Sequence, residues 1–174
     1  MMYHMKKISL TQGRSALVDD EDYPELSGYH WVLQGRPDGR AHCFRNTKQI
    51  GPLRRRRIYM HQHIFGVCGR RGGVVVDHIN GDGLDNRRSN LRVATWAQNL
   101  WNSRCRSQIS GYRGVYPSRG TSASWWVQFQ SGGVLYYLGC FHDPIEAALA
   151  YDNAVIGLRG EFAKTNFLTY RGGV

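Results

Sequence analysis

Residues 74–90 read VVVDHINGDGLDNRRSN. Three β-branched residues in a row open a buried strand. The strand runs directly into Asp77 and His78, a carboxylate and an imidazole side by side at its end. A loop rich in glycine, aspartate and asparagine follows, the composition of a chain that must turn. The segment NLRVAT, residues 90–95, then reads as a second strand, and WAQNLWN as a short helix. Thr95 suits the N-cap, with Gln98 three positions on to complete a capping box. Trp96, Leu100 and Trp101 supply an apolar face. Residues 74–102 therefore predict strand, loop, strand, helix.

The whole chain bounds this unit. Its 174 residues suffice for one ordinary domain or two small ones. Lys and Arg number 23 against 13 Asp and Glu, a formal charge of +10. Such a charge attracts polyanions. No apolar run approaches the ~20 residues of a membrane span, so no membrane association is expected. MMYHMKKISL carries lysines without an apolar core behind them and is not a secretory signal. The expectation is a soluble, cytoplasmic protein. Cys43, Cys68, Cys105 and Cys140 share no C-x-x-C spacing, so free thiols and no structural zinc are expected.

Upstream, KKISLTQG, SALVDD, HWVLQG, GRAHCFRN and RRIYMH are short alternating runs ended by turn residues, the pattern of a small β-meander. Arg54 to Arg57 form a basic run suited to phosphate contact or to a solvated face. MHQHIFG predicts a short helix closed by Gly66. Its His61 and His63, two positions apart, must point in different directions. Residues 103–110, SRCRSQIS, have a linker's composition. Beyond them GYRGVYPS, SWWVQFQ and VLYYLGCF predict three strands. HDPIEAALAYDNAVIGLRG predicts a helix capped by Asp143, with Pro144 first and an apolar stripe of period 3.6. The fold class is α+β: a β-rich N-terminal region, the strand–loop–strand–helix unit, then a three-stranded antiparallel sheet on one helix.

Phosphodiester hydrolysis needs a base for water, a hard cation to neutralise charge, and a device that orients the base. Asp77, His78, Asn90 and Asn99 are residue types that meet those needs. Mg²⁺ accepts a carboxylate and an amide oxygen and keeps its remaining waters. Adjacent strand residues point to opposite faces, so Asp77 and His78 serve one site only where the strand ends and twists.

VDHINGDGLDNRRSNLRVATWAQNLWN resembles the HNH endonuclease motif in its homing-type form, a ββα-metal unit. The resemblance implies His78 as the general base and Asn90 as the residue that pins the loop and orients it. It implies Asp77 and Asn99 as metal ligands, for Mg²⁺ with Mn²⁺ as a substitute. YRGV, YLG-F, EAA-AYD-A and RG-FAKTNF, within residues 112–167, resemble the Apetala-two (ethylene-response-factor) DNA-binding domain. That resemblance implies DNA contacts from Arg113, Tyr116, Ser118, Arg119, Gln128, Gln130 and Tyr137. Trp126 shares a face with Gln128 and Gln130 by register. Arg87, Arg88 and Arg92, beside the nuclease motif, are candidates for backbone contacts.

The expected organisation is a nuclease region over 1–102, with its motif at 74–102, a linker at 103–110, a DNA-binding domain at 111–168, and a tail at 169–174. The expected protein is an HNH endodeoxyribonuclease acting on double-stranded DNA, as monomer or dimer, in a bacterial or phage-infected cell. The alternatives are a non-enzymatic DNA-binding regulator with a relic nuclease fold and, less favoured, an RNA-binding module.

Overall fold

The computed structural model describes residues 5–35, 40–47, 56–67, 73–102, 109–118 and 124–167. The chain is α+β, strand-rich, with several small sheets. It falls into two compact units, Met1–Trp96 and Ala97–Val174.

The first unit opens with the hairpin of β1 (Met5–Ser9) and β2 (Ser15–Asp19), paired antiparallel from Met5↔Asp19 to Ser9↔Ser15. Period-two alternation buries Ala16 and Val18 of β2 completely. A short helix α1 (Tyr23–Leu26) follows and drives Leu26 into the core. The indole of Trp31 is buried too, and its Nε1 donates to the Leu26 carbonyl at 2.8 Å. β3 (Val32–Gly35), β4 (Ala41–Asn46) and β5 (Arg57–Tyr59) make a second sheet with β4 central. The meander expected here is thus two sheets around one core of Ile8, Val18, Leu26, Trp31, Cys43 and Met60 among others. α2 (Met60–Ile64) packs against β4 and β5, and Gly66 ends the turn beyond it at a positive φ.

β6 (Val74–His78) and β7 (Leu91–Thr95) form a two-stranded antiparallel ribbon, with Asp77↔Arg92 and His78↔Leu91 at its loop end. α3 (Trp96–Trp101) starts at the boundary of the two units. The apolar face expected for α3 is not buried: Leu100 is 60% exposed. Trp101 is instead half-covered by the Arg159 guanidinium, 4.9 Å above its ring, a cation–π contact in place of core packing. Of the expected linker, residues 103–108 lie outside the described residues, as do Cys68, Cys105, Arg54, Arg55 and Arg119. Among the described residues Cys43 and Cys140 are free thiols.

The second unit is an antiparallel sheet in the order β10 (Val134–Phe141), β9 (Trp125–Ser131), β8 (Val115–Pro117), with α4 (Pro144–Arg159) on one face. Asp143 caps α4 through its carboxylate, which accepts from Ile145 N at 2.7 Å, and Pro144 leads the helix. Val115, Val127, Phe129, Ala147, Tyr151 and Val155 bury against one another. Gly114 is required at its position: a Cβ there would collide with the Tyr151 ring, and its φ is +75°. Asp152, fully buried on α4, accepts from Asn166 N, Asn166 Nδ2 and Phe167 N at 2.7, 3.1 and 2.7 Å. Asn166 in turn accepts from Arg113 N at 2.7 Å, so one buried carboxylate ties the segment at 166–167 to the YRGV turn.

No helix among the described residues is long and apolar enough to cross a membrane.

Candidate functional site

The loop after β6 seals itself with side-chain amides. Gly81 N returns to the His78 carbonyl at 2.9 Å, closing a tight turn. Asn90 Oδ1 accepts from Asn80 N, and Asn90 Nδ2 donates to Asn80 Oδ1 and to the Asp85 carbonyl at 3.0 and 2.8 Å. Asp82 Oδ1 accepts from Leu84 N in an Asx turn. The loop is also stitched to β2: Leu17 N donates to Leu84 O and Asn86 N to Leu17 O, each at 2.8 Å. Asn90 is buried, and the hydrogen bonds of its side chain go to Asn80 and Asp85 within the loop, not to His78.

That contact belongs to Asn86, which is fully buried. Its Nδ2 faces the Gly83 carbonyl at 3.4 Å and the Cys43 sulfur at 3.7 Å, so Oδ1 is the atom turned to His78 Nε2, 3.2 Å away. An acceptor on Nε2 means that nitrogen carries the proton, and the basic lone pair is on Nδ1. Nothing in the sequence marks Asn86, which sits in a run of turn residues and is indistinguishable from its neighbours by type.

His78 is one of three adjoining imidazoles. β4 contributes His42, α2 contributes His61 and β6 contributes His78; one ring nitrogen of each lies within 4.8 Å of those of the other two. The His61 and His78 rings meet edge to face with centroids 4.8 Å apart, and Tyr59 stacks on His61 at 5.6 Å. Burial pushes His61 well below its ordinary pKa, and the neighbouring His78 and His42 push it further. Burial also lowers His78, outweighing the Asn86 hydrogen bond and the nearby carboxylates Asp77, Asp82 and Asp85, which pull upward. Both rings are neutral near pH 7. Cys43 lies close by, but burial pushes its thiol up to about 12, so it stays protonated. Gly83 lets the loop approach this cluster: a Cβ there would collide with the Ala41 carbonyl and the His42 ring. His61 and His63 diverge as their spacing requires, and His63 turns to Glu25 at 2.8 Å. Nothing local in the sequence brings His42 to this place.

Asp77 precedes His78 at the loop end of the ribbon, near enough for its charge to act on the His78 ring. Its Oδ2 accepts from Arg92 Nε and Nη2 at 3.1 and 3.0 Å, and both residues are largely buried. Asn99 lies on α3, within the residues of the second unit. Arg87 forks onto Asp85 at 2.8 and 2.7 Å, which holds the Asp85 carboxyl below its usual range. Arg88 forks onto Asp22 at 2.9 and 2.6 Å and also meets Glu21. The three arginines beside the motif are thus each engaged by a carboxylate, and a phosphate would have to displace or share those pairs.

In the second unit, β9 alternates cleanly. Val127, Phe129 and Ser131 are buried, while Trp126, Gln128 and Gln130 take the face away from α4. Register sets Tyr116 opposite Trp126 and Tyr137 opposite Gln128. The Tyr116 and Trp126 rings stack at 4.7 Å, and Tyr137 is 61% exposed. Ser118 closes the β8–β9 end through its backbone, donating to the Ser124 carbonyl at 2.8 Å. Arg113, Tyr116, Gln128 and Gln130 line one surface depression with Leu100 and Trp101.

Residues 70–100 match the family model described as HNH endonuclease. The chain is 26% identical over 161 residues to an uncharacterized HNH endonuclease of Acanthamoeba polyphaga mimivirus, an alignment covering 91% of this chain and 78% of that protein. No solved structure matches the chain. These similarities support a nuclease function in general.

Proposed function

We propose that the chain is a metal-dependent endonuclease of the HNH type that hydrolyses phosphodiester bonds in duplex DNA. The observation that carries the reading is His78: a buried, neutral imidazole in the stretch that matches the HNH model, with Asn86 on Nε2 and the lone pair on Nδ1. His78 Nδ1 accepts a proton from water as the water attacks phosphorus. Asn86 fixes the tautomer and Asn90 fixes the loop that carries Asn86. The base is competent at neutral pH because burial keeps it unprotonated.

Asp77 and Asn99 are the proposed holders of a divalent cation, in keeping with the motif. A carboxylate and an amide oxygen are hard donors that suit Mg²⁺ or Mn²⁺. Such an ion, when bound, would neutralise charge on the scissile phosphate and its leaving oxygen. Arg92 Nε and Nη2 donate to the same Asp77 carboxylate at 3.1 and 3.0 Å, so a bound ion would share or displace that pair.

The second unit is proposed as the DNA anchor. A three-stranded sheet backed by one helix presents Tyr116, Trp126, Gln128, Gln130 and Tyr137 on its open face, aromatic and amide groups suited to base edges. The net charge of +10 favours a polyanionic partner.

The test is plasmid nicking with Mg²⁺ and with Mn²⁺, comparing wild type with His78→Ala and mapping both ends of the cut. Metal-dependent cutting that His78→Ala abolishes is the expected result. Equal cutting by both proteins removes His78 from the mechanism. Tight, salt-sensitive DNA binding with no cutting under either metal makes the chain a DNA-binding regulator instead.

A further inference from the structure

We propose that His42, His61 and His78 form a binding site for a borderline-soft divalent ion of the Zn²⁺ class, and that filling this site silences His78 as a base. The second half of this statement rests on the reading of His78 given above; the first half does not.

Three imidazoles from three separate elements converge, with ligand nitrogens within 4.8 Å of one another. An ion at the centre of a triangle of that size is about 2.8 Å from each nitrogen. Zinc–imidazole bonds are about 2.0–2.1 Å long, so each ring must swing inward by under about 1 Å. Such a swing is a small torsional change on Cβ, and it needs no backbone shift. The scaffold is fixed: β4 is the central strand of its sheet, α2 packs against both β4 and β6, and the loop is stitched to β2.

The donor set selects the ion. Imidazole favours Zn²⁺, Co²⁺, Ni²⁺ and Cu²⁺ over Mg²⁺, which takes oxygen. The cation proposed for catalysis and the ion proposed here therefore do not compete for the same ligands. His78 already has the outer partner that metal-bound histidines require, since Asn86 Oδ1 accepts from its Nε2. Asn86 thus orients His78 equally well toward water or toward a metal. Both uses draw on the same Nδ1 lone pair, so they exclude each other.

The experiment begins with the metal-free full chain. Co²⁺ titration should give visible absorption bands of a low-coordinate imidazole site at one equivalent, and Zn²⁺ should erase them. His42→Ala and His61→Asn, each checked for folding by circular dichroism, should lose the bands. Where a variant does not fold, imidazole-detected NMR of the wild type decides: one equivalent of Zn²⁺ should move the rings of His42, His61 and His78 and leave His30 and His142 in place. Absence of stoichiometric Co²⁺ or Zn²⁺ binding, or shifts confined to His30, His63 or His142, overturns the site. Mg²⁺-driven nicking is then titrated with Zn²⁺, and half-inhibition should track site occupancy. Zn²⁺ binding that leaves nicking unchanged, or raises it, overturns the silencing. If Mg²⁺ alone supports no nicking, the nuclease reading fails and takes the silencing with it, while the Co²⁺ bands still judge the site.

Discussion

Replacing Asn86 tests whether the geometry at His78 does what it is assigned. Asn86→Ala removes the oxygen 3.2 Å from Nε2 and leaves that N–H buried beside a fully enclosed position. An unsatisfied buried donor costs about 1–3 kcal/mol. The imidazole escapes part of that cost by moving its proton to Nδ1, which is the wrong tautomer for a base facing the phosphate. If the whole penalty appears in the transition state, cleavage slows by about 5- to 150-fold, at roughly 1.4 kcal/mol per tenfold. Single-turnover nicking at saturating Mg²⁺, well below the unfolding temperature, reads this directly. Asn86→Asp supplies the signature that a merely structural role would not give. A carboxylate on Nε2 stabilises the imidazolium, so the rising limb of the pH–rate profile must move to higher pH. Asn86→Ala at wild-type rate, or Asn86→Asp with an unmoved limb, refutes the role.

Acid should destabilise the first unit through His61. Its folded pKa lies below the unfolded value of about 6.5, so the unfolded chain binds more protons as pH falls through that value. Stability present above about pH 6.5 is lost progressively below it; urea midpoints between pH 7.5 and 5 should drop for wild type and drop less for His61→Phe, and equal slopes would count against this origin. Gly83→Ala should cost about 1–3 kcal/mol, because its Cβ meets the Ala41 carbonyl and the His42 ring; a thermal melt equal to wild type would mean the loop yields freely. Asp152→Ala should destabilise the second unit by about 2–4 kcal/mol, less than three full hydrogen-bond penalties because the Asn166 and Phe167 donors partly regain water; urea unfolding followed by tryptophan fluorescence measures it. Trp126→Ala should weaken duplex DNA binding by about 1 kcal/mol or more without changing the nicking rate once DNA is saturating; unchanged affinity by fluorescence anisotropy would move the DNA surface elsewhere.

Element types were largely legible in the linear sequence because their causes are local. Valine runs, the Asp143–Pro144 cap and the period of α4 act over a few residues, and the strands and helix appeared where those signals lay. Asp77, His78 and Asn90 stood out as residue types at a strand end and its loop. The apolar face read for α3 failed, since six residues with one tryptophan under an arginine do not need a core. The carboxylate partners of Arg87, Arg88 and Arg92, at 85, 22 and 77, are chosen by loop closure and strand register and leave no mark in the linear sequence.

What the sequence determined by itself is the strand–loop–strand–helix unit and the sheet-on-helix module after it. What only the tertiary structure decided is which side chains share a space. Asn86 rather than Asn90 holds His78, because the loop is pinned to β2 and turns Asn86 inward. His42 and His61 reach His78 because β4, α2 and β6 pack on one another, and contacts between residues far apart in the chain leave no local pattern to read.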